Sequence, residues 1–160
     1  MVLELGVDVT PSVEIQPQAV EVFYGTAESA NRNETILTGD VLDECVGVVL
    51  SNRERVGFAH FPLQDSFKVF DGEKRVRRTF ADLSQLLFDK FGPISQDTQA
   101  TIVGGVEGRS EPLIQKLQEV LRNKGIKGIL INGPHSEKVA WDVSINRGAI
   151  SISAQRMAGK

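Results

Sequence analysis

Two short runs of β-forming residues, CVGVVL (45–50) and RVGFAHF (55–61), are separated by the four residues SNRE. A connection that short joins antiparallel neighbours, because parallel strands need a crossover of roughly a dozen residues or more. The chain therefore contains a sheet that is antiparallel at least in part. A four-residue hairpin loop at Ser51–Glu54 is the natural reading of the spacing.

Other segments fill in around this hairpin. AVEVFYGTA (19–27) reads as a strand, ESANRNE (28–34) as a polar loop, and TILTGDVL (35–42) as a return to β structure. Thr79 is placed to cap a helix whose apolar residues Phe80, Leu83, Leu87 and Phe91 recur at helical spacing, with Gly92-Pro93 as its stop. TIVGGV (101–106) reads as a buried strand ending in a glycine pair. Ser110 and Pro112 open a second helix carrying Leu113, Leu117, Val120 and Leu121, which Gly125 ends. GILI (128–131) and VAWDVSI (139–145) follow as strands, and the latter turns at Asn146-Arg147-Gly148 into AISIS (149–153). Strands outnumber helices, so the fold class is mixed α/β. No repeat, low-complexity tract or linker divides the 160 residues. They read as a single domain, 1–160, with a core at about 19–153.

Composition narrows the function. A net charge of −3 supplies no basic field for nucleic acid or an anionic membrane. A single cysteine forms no internal disulfide, and no CxxC or CxxH spacing is present, so neither a structural zinc nor another metal or cofactor is expected. The first eighteen residues lack a basic segment followed by an apolar run, and no stretch approaches the roughly 20 apolar residues of a membrane span. No membrane insertion and a reducing cytoplasm are the expectations.

The hairpin holds that cysteine, Cys45, and one of the two histidines, His60. With a loop at Ser51–Glu54, Leu50 faces Arg55, Val49 faces Val56, and the same register sets Cys45 opposite His60. Facing residues share one side of the sheet with Cβ atoms about 4.5–5.5 Å apart. A nearby imidazole takes the proton of a thiol and holds the thiolate as an ion pair, which activates it as a nucleophile. The backbone N–H groups of Cys45 and Glu44 are candidate oxyanion donors, and Thr38 or Asp40 is the candidate to orient the imidazole. The plain alternative is a buried small residue beside a hydrogen-bonded core histidine.

Four further features have ordinary readings. His135 in NGPHSEK (132–138) is expected to be a solvated loop residue, and the basic run EKRVRR (73–78) a solvated face before the first helix. GGVEG (104–108) lacks the endings of the phosphate-binding glycine motifs and reads as a tight turn near the mouth of the site. Trp141 is expected on a half-buried strand.

CVGVVL followed by VGFAHFPL resembles the chemoreceptor glutamine deamidase (CheD) family, in which a GSCV-type cysteine strand is followed by a segment ending in Ala-His and then Leu-Pro. It is similar also to the catalytic domain of the cytotoxic necrotizing factors, with a cysteine in an LSGC-like motif and a histidine downstream. TIVGGV, LIQKLQEVLRNKGIKGILI and WDVSINRGAISI resemble the CheD glycine strand, helix with following strand, and closing hairpin, so the likeness covers roughly residues 36–153. The resemblance implies a largely antiparallel β-sandwich with flanking helices in four layers, αββα. It also implies a cysteine hydrolase that converts glutamine to glutamate on a target protein through a thioester, that target being a chemoreceptor or, for a secreted toxin or effector, a host regulatory protein. Cys45 matches the nucleophile and His60 the general base. An ungapped match sets the family threonine on Gly39, and Thr38 is its neighbour.

Two departures stand out. Asp43-Glu44 occupies positions where the family has small residues, and charges within about 4–6 Å disfavour a thiolate. After Ala59 the order His-Phe-Pro-Leu also differs. A non-catalytic binding module on the same fold, a thiol protease or small-amide hydrolase, and transglutamination by an amine in place of water are the alternatives.

Overall fold

The computed structural model describes residues 19–38, 42–136, 139–147 and 149–156. Among them the order is β1 (Val20–Val22), β2 (Ala27–Asn31), β3 (Thr35–Thr38), β4 (Val46–Ser51), β5 (Arg55–Phe61), β6 (Ser66–Asp71), β7 (Lys74–Thr79), α1 (Phe80–Phe91), β8 (Gln99–Gly104), α2 (Glu111–Asn123), β9 (Gly128–Asn132), β10 (Val139–Asn146) and β11 (Ala149–Arg156). One sheet has the strand order β2-β5-β4-β8-β9, a second β1-β3-β10-β11, and β6-β7 form a separate ribbon. Pairing is mostly antiparallel. The exceptions are β1 with β3, and β8 with β9, the latter pair joined through α2.

Apolar packing divides the molecule into layers. Val46, Val48, Leu50, Ala59 and Phe61 of β4 and β5 meet Leu83, Leu87 and Phe91 of α1 and Leu113, Leu117 and Leu121 of α2. On the opposite face of the same strands, Val49, Val56 and Phe58 meet Ile36, Trp141, Val143 and Ile145 of the other sheet. Both helices thus cover one face of the five-stranded sheet, and the four-stranded sheet covers the other. Among the described residues the layers run helix, sheet, sheet, in a mixed α/β fold rich in strands. No described helix is long and apolar enough to cross a membrane.

Local chemistry explains the elements that the sequence marked. Thr79 Oγ1 accepts the N–H of Asp82 at 3.1 Å, and the Asp82 carboxylate accepts the N–H of Thr79 at 2.9 Å, which closes a capping box at the start of α1. Gly92, at φ 100°, ends the helix before Pro93. β10 and β11 form the expected hairpin, with Arg147 at φ 54° in its turn; Gly148 lies outside the described residues.

Two expectations are corrected. AVEVFYGTA is broken in the middle: β1 belongs to the four-stranded sheet and β2 to the five-stranded one, with a turn over Phe23–Thr26 between them. Gly25 makes this turn possible, because its φ is 72° and an added Cβ would lie 2.4 Å from Val69 Cγ1. β2 then runs through residues expected to be loop, as a polar edge strand of its sheet. The basic run is the solvated face expected before the helix, with Lys74, Arg75 and Arg77 exposed, but it is a strand and not a loop. It forms most of β7, paired with β6 across a turn at Gly72 (φ 67°). The alternate residues of β7 remain exposed.

Gly25→Ala combines a strained positive φ with a methyl group driven into Val69 and Phe67, and overpacking alone costs about 1–3 kcal/mol. Urea unfolding should show a loss of at least this size. The β2–β5 pairing next to the turn should lose amide protection first.

Candidate active site

The β4–β5 hairpin is tighter than its spacing suggests. The Asn52 side-chain oxygen accepts N–H groups from Glu54 (2.9 Å) and Arg55 (2.8 Å), and the Asn52 N–H donates to the Arg55 carbonyl at 3.0 Å. Asn52 and Arg55 therefore close a turn with only Arg53 and Glu54 between them, and Ser51 pairs with Val56. The four-residue loop is corrected, and with it the facing pair: His60 lies opposite Gly47. Cys45 precedes β4, two residues before Gly47. Continued by one residue, the ladder brings it diagonal to His60, and its packing against the inter-sheet cluster sets it on the same side.

The error of two residues preserves the face, because side chains alternate with a period of two. Val49 and Phe58, which share the parity of Cys45 and His60 on their strands, point between the two sheets, and Cys45 itself packs against that cluster. The thiol is half-buried and the histidine is 2 % exposed.

His60 is tied by its backbone to the β1–β2 turn. Its N–H donates to the Thr26 carbonyl at 3.1 Å, and its carbonyl accepts the Gly25 N–H at 2.9 Å. The same turn brings the Tyr24 ring edge-on to the imidazole, with centroids 5.7 Å apart and planes at 67°. The Tyr24 hydroxyl reaches Gln64 Oε1 at 3.4 Å. Burial raises the phenol pKa above its ordinary value of 10.0, and negative charge on Cys45 raises it further. Tyr24 therefore lies within electrostatic reach of the thiol and beside the imidazole, and it stays protonated at neutral pH. Sequence reasoning missed it by reading 19–27 as an unbroken strand. The Gly25-Thr26 pair was the available turn signal.

The Cys45 backbone is held from the other side by the glycine turn after β8. Gly104 and Gly105 both have φ 96°, and a Cβ on Gly104 would lie 3.2 Å from the Cys45 carbonyl oxygen and 3.5 Å from Trp141 Cδ1. The glycine pair lets the end of β8 pass close to Cys45, so GGVEG is a tight turn beside the candidate nucleophile. Ser110 is fully buried at the start of α2. Its hydroxyl accepts the Val106 N–H at 2.8 Å and donates to the Glu44 carbonyl at 3.0 Å. Arg109 meets the Glu44 carboxylate at 3.1 Å, a counter-charge for one of the two acids that precede the cysteine. Such a partly exposed pair adds little to stability, but it moderates the local field.

Thr38 pairs with Val22 at the same end of the sandwich. Its hydroxyl accepts the Val143 N–H at 3.2 Å and donates to the Val143 carbonyl at 3.4 Å, so both of these bonds go to the β10 backbone. Gly39 and Asp40 lie outside the described residues. His135 is half-buried instead of solvated. Its backbone bonds Gly105 and Glu107, and its ring lies 4.5 Å from that of Trp141, which is itself 4 % exposed. Among the described residues no group of three or more His, Cys, Asp or Glu side chains is arranged to hold a metal.

Neither the models of known protein families nor the curated proteins compared with the chain gave a match.

Tyr24 is the only tyrosine, so tyrosinate absorbance reports it alone. It should titrate above its ordinary value, and Cys45→Ser should lower that pKa by removing the thiolate that opposes a second negative charge. An identical titration in the two proteins would show that the two groups do not interact.

Proposed function

We propose that the chain is a cysteine hydrolase that deamidates glutamine side chains on a protein substrate, without metal or cofactor. The observation that carries the reading is that Cys45 and His60 project onto one inter-sheet face as diagonal neighbours, where β4 begins and β5 ends. The CheD-like words around them supply the reaction class. The helix, sheet, sheet layers are compatible with the αββα arrangement of that family, whose outer helical layer has no counterpart among the described residues.

In this mechanism His60 accepts the Cys45 proton and the thiolate attacks the carboxamide carbon. Charge develops on the carboxamide oxygen. The C–N bond then breaks as His60 returns its proton to the nitrogen, which releases ammonia and leaves a thioester. Water adds to the thioester, His60 takes a proton from it, and breakage of the C–S bond yields glutamate and the thiol. The hydrogen bond from Ser110 to the Glu44 carbonyl fixes the orientation of the Glu44–Cys45 peptide. In a trans peptide this also sets the direction of the Cys45 N–H, a candidate donor to the oxyanion. A chemoreceptor-like protein or a host regulatory protein fits the resemblance as substrate, with the cytoplasm as the site of action.

A non-catalytic binding module is the second reading, and the burial of His60 favours it, since a substrate must reach an imidazole that is 2 % exposed. Ammonia release and the one-dalton mass gain of a glutamine protein separate the two. Cys45→Ser should abolish both with the fold intact, and His60→Ala should slow them by about 10²–10⁴-fold, the usual span for a general acid–base group. Cleavage of the substrate backbone would point to a protease instead. Ser110→Ala should lower kcat more than it raises KM, because the oxyanion forms only on the way to the intermediate.

A further inference from the structure

The turn that carries Tyr24 is held by hydrogen bonds within itself and to two strands. Thr26 Oγ1 accepts the Phe23 N–H at 3.0 Å and donates to the Phe23 carbonyl at 2.8 Å, and the Thr26 N–H donates to the same carbonyl at 3.0 Å. The Gly25 N–H donates to the His60 carbonyl at 2.9 Å, and the Gly25 carbonyl accepts from the Arg78 guanidinium at 2.8 Å. With the backbone tied to β5 and β7, the direction of the Tyr24 side chain is set. Its ring stands edge-on to two others, those of His60 (5.7 Å, 67°) and Phe67 (6.1 Å, 78°). Tyr24 is 37 % exposed and His60 2 %, so the phenol ring forms part of the wall between the imidazole and solvent.

Resting on the deamidase reading above, we propose that Tyr24 is a positioning residue whose ring, and not its hydroxyl, holds the His60 imidazole in the orientation that serves Cys45. The torsion about the Cβ–Cγ bond of histidine is broad, so the contacts its ring makes select which nitrogen faces the thiol. Edge-to-face contact supplies that direction. The covering ring also limits water around the thiolate–imidazolium pair, which strengthens the attraction between the two charges. The hydroxyl reaches Gln64 Oε1 at 3.4 Å, and orienting the imidazole is the work of the ring.

The test is the pH dependence of iodoacetamide alkylation of Cys45 in the full chain, for the wild type, Tyr24→Phe and Tyr24→Leu, with folding checked by thermal unfolding. The wild-type thiol should ionise below about 8.5, the value of a free cysteine. Tyr24→Phe should match it. Tyr24→Leu should raise the thiol pKa by about one unit and slow alkylation about tenfold at a pH below both values. A folded Tyr24→Leu with the wild-type profile overturns the proposal and leaves the deamidase reading standing. A Tyr24→Phe as impaired as Tyr24→Leu overturns the assignment to the ring. A wild-type thiol at or above the free-cysteine value overturns both readings together. A measurement that needs no variant is the Overhauser contact between the ring protons of Tyr24 and His60, expected in the folded wild type; its absence overturns the proposal.

Discussion

The side-chain oxygen of Asn52 accepts two backbone N–H groups across the β4–β5 turn, and the rest of the candidate site is built on the register this sets. β4 is the third of five strands, with β5 on one side and β8 on the other, and its residues Val46–Leu50 are buried. A slip of one residue would turn His60 towards the helices and Phe61 towards the second sheet, so burial on both faces resists it. Burial does not resist a slip of two, which keeps every side chain on its face. The turn decides between those registers, and so decides how far along β4 the imidazole sits from the thiol.

Four separate stretches of chain converge on Cys45. The β1–β2 turn brings Tyr24, β5 brings His60, the glycine pair after β8 passes the Cys45 carbonyl, and Ser110 at the start of α2 holds the Glu44 carbonyl. Ser110 shows how local rules and tertiary needs compete. It stands where a helix cap is expected, yet its hydroxyl makes no cap bond to the helix and is used to fasten the segment before the cysteine. The acidic pair ahead of the thiol, unfavourable on its face for a thiolate, is partly offset at Glu44 by Arg109 from the same turn.

Both helices, the two hairpins around Asn52 and Arg147, and the strands β5, β8, β9 and β10 were legible because their signals are local: apolar periodicity, a capping threonine, a glycine stop. The strand β7 was hidden by its charge, since five of the six residues in EKRVRR are ionisable and composition suggested solvent. The break between β1 and β2 was hidden for the opposite reason. In AVEVFYGTA a single glycine is the one turn signal among β-forming residues, and the close approach of Val69 and Phe67 shows why the chain must turn at Gly25.

The sequence by itself determined that the fold is mixed α/β and that Cys45 and His60 belong to one hairpin; the face they share was read from a register two residues off and came out the same because side chains alternate with a period of two. These properties depend on residue type and spacing over a few neighbours. Tertiary structure alone decided that the shared face lies between the two sheets, that Tyr24 stands against His60, that the His135 ring packs at a tilt against Trp141, and that Ser110 grips Glu44. Each of these contacts joins segments well separated in the chain, and their meeting depends on how the sheets and helices pack, for which no short stretch of sequence carries a signal.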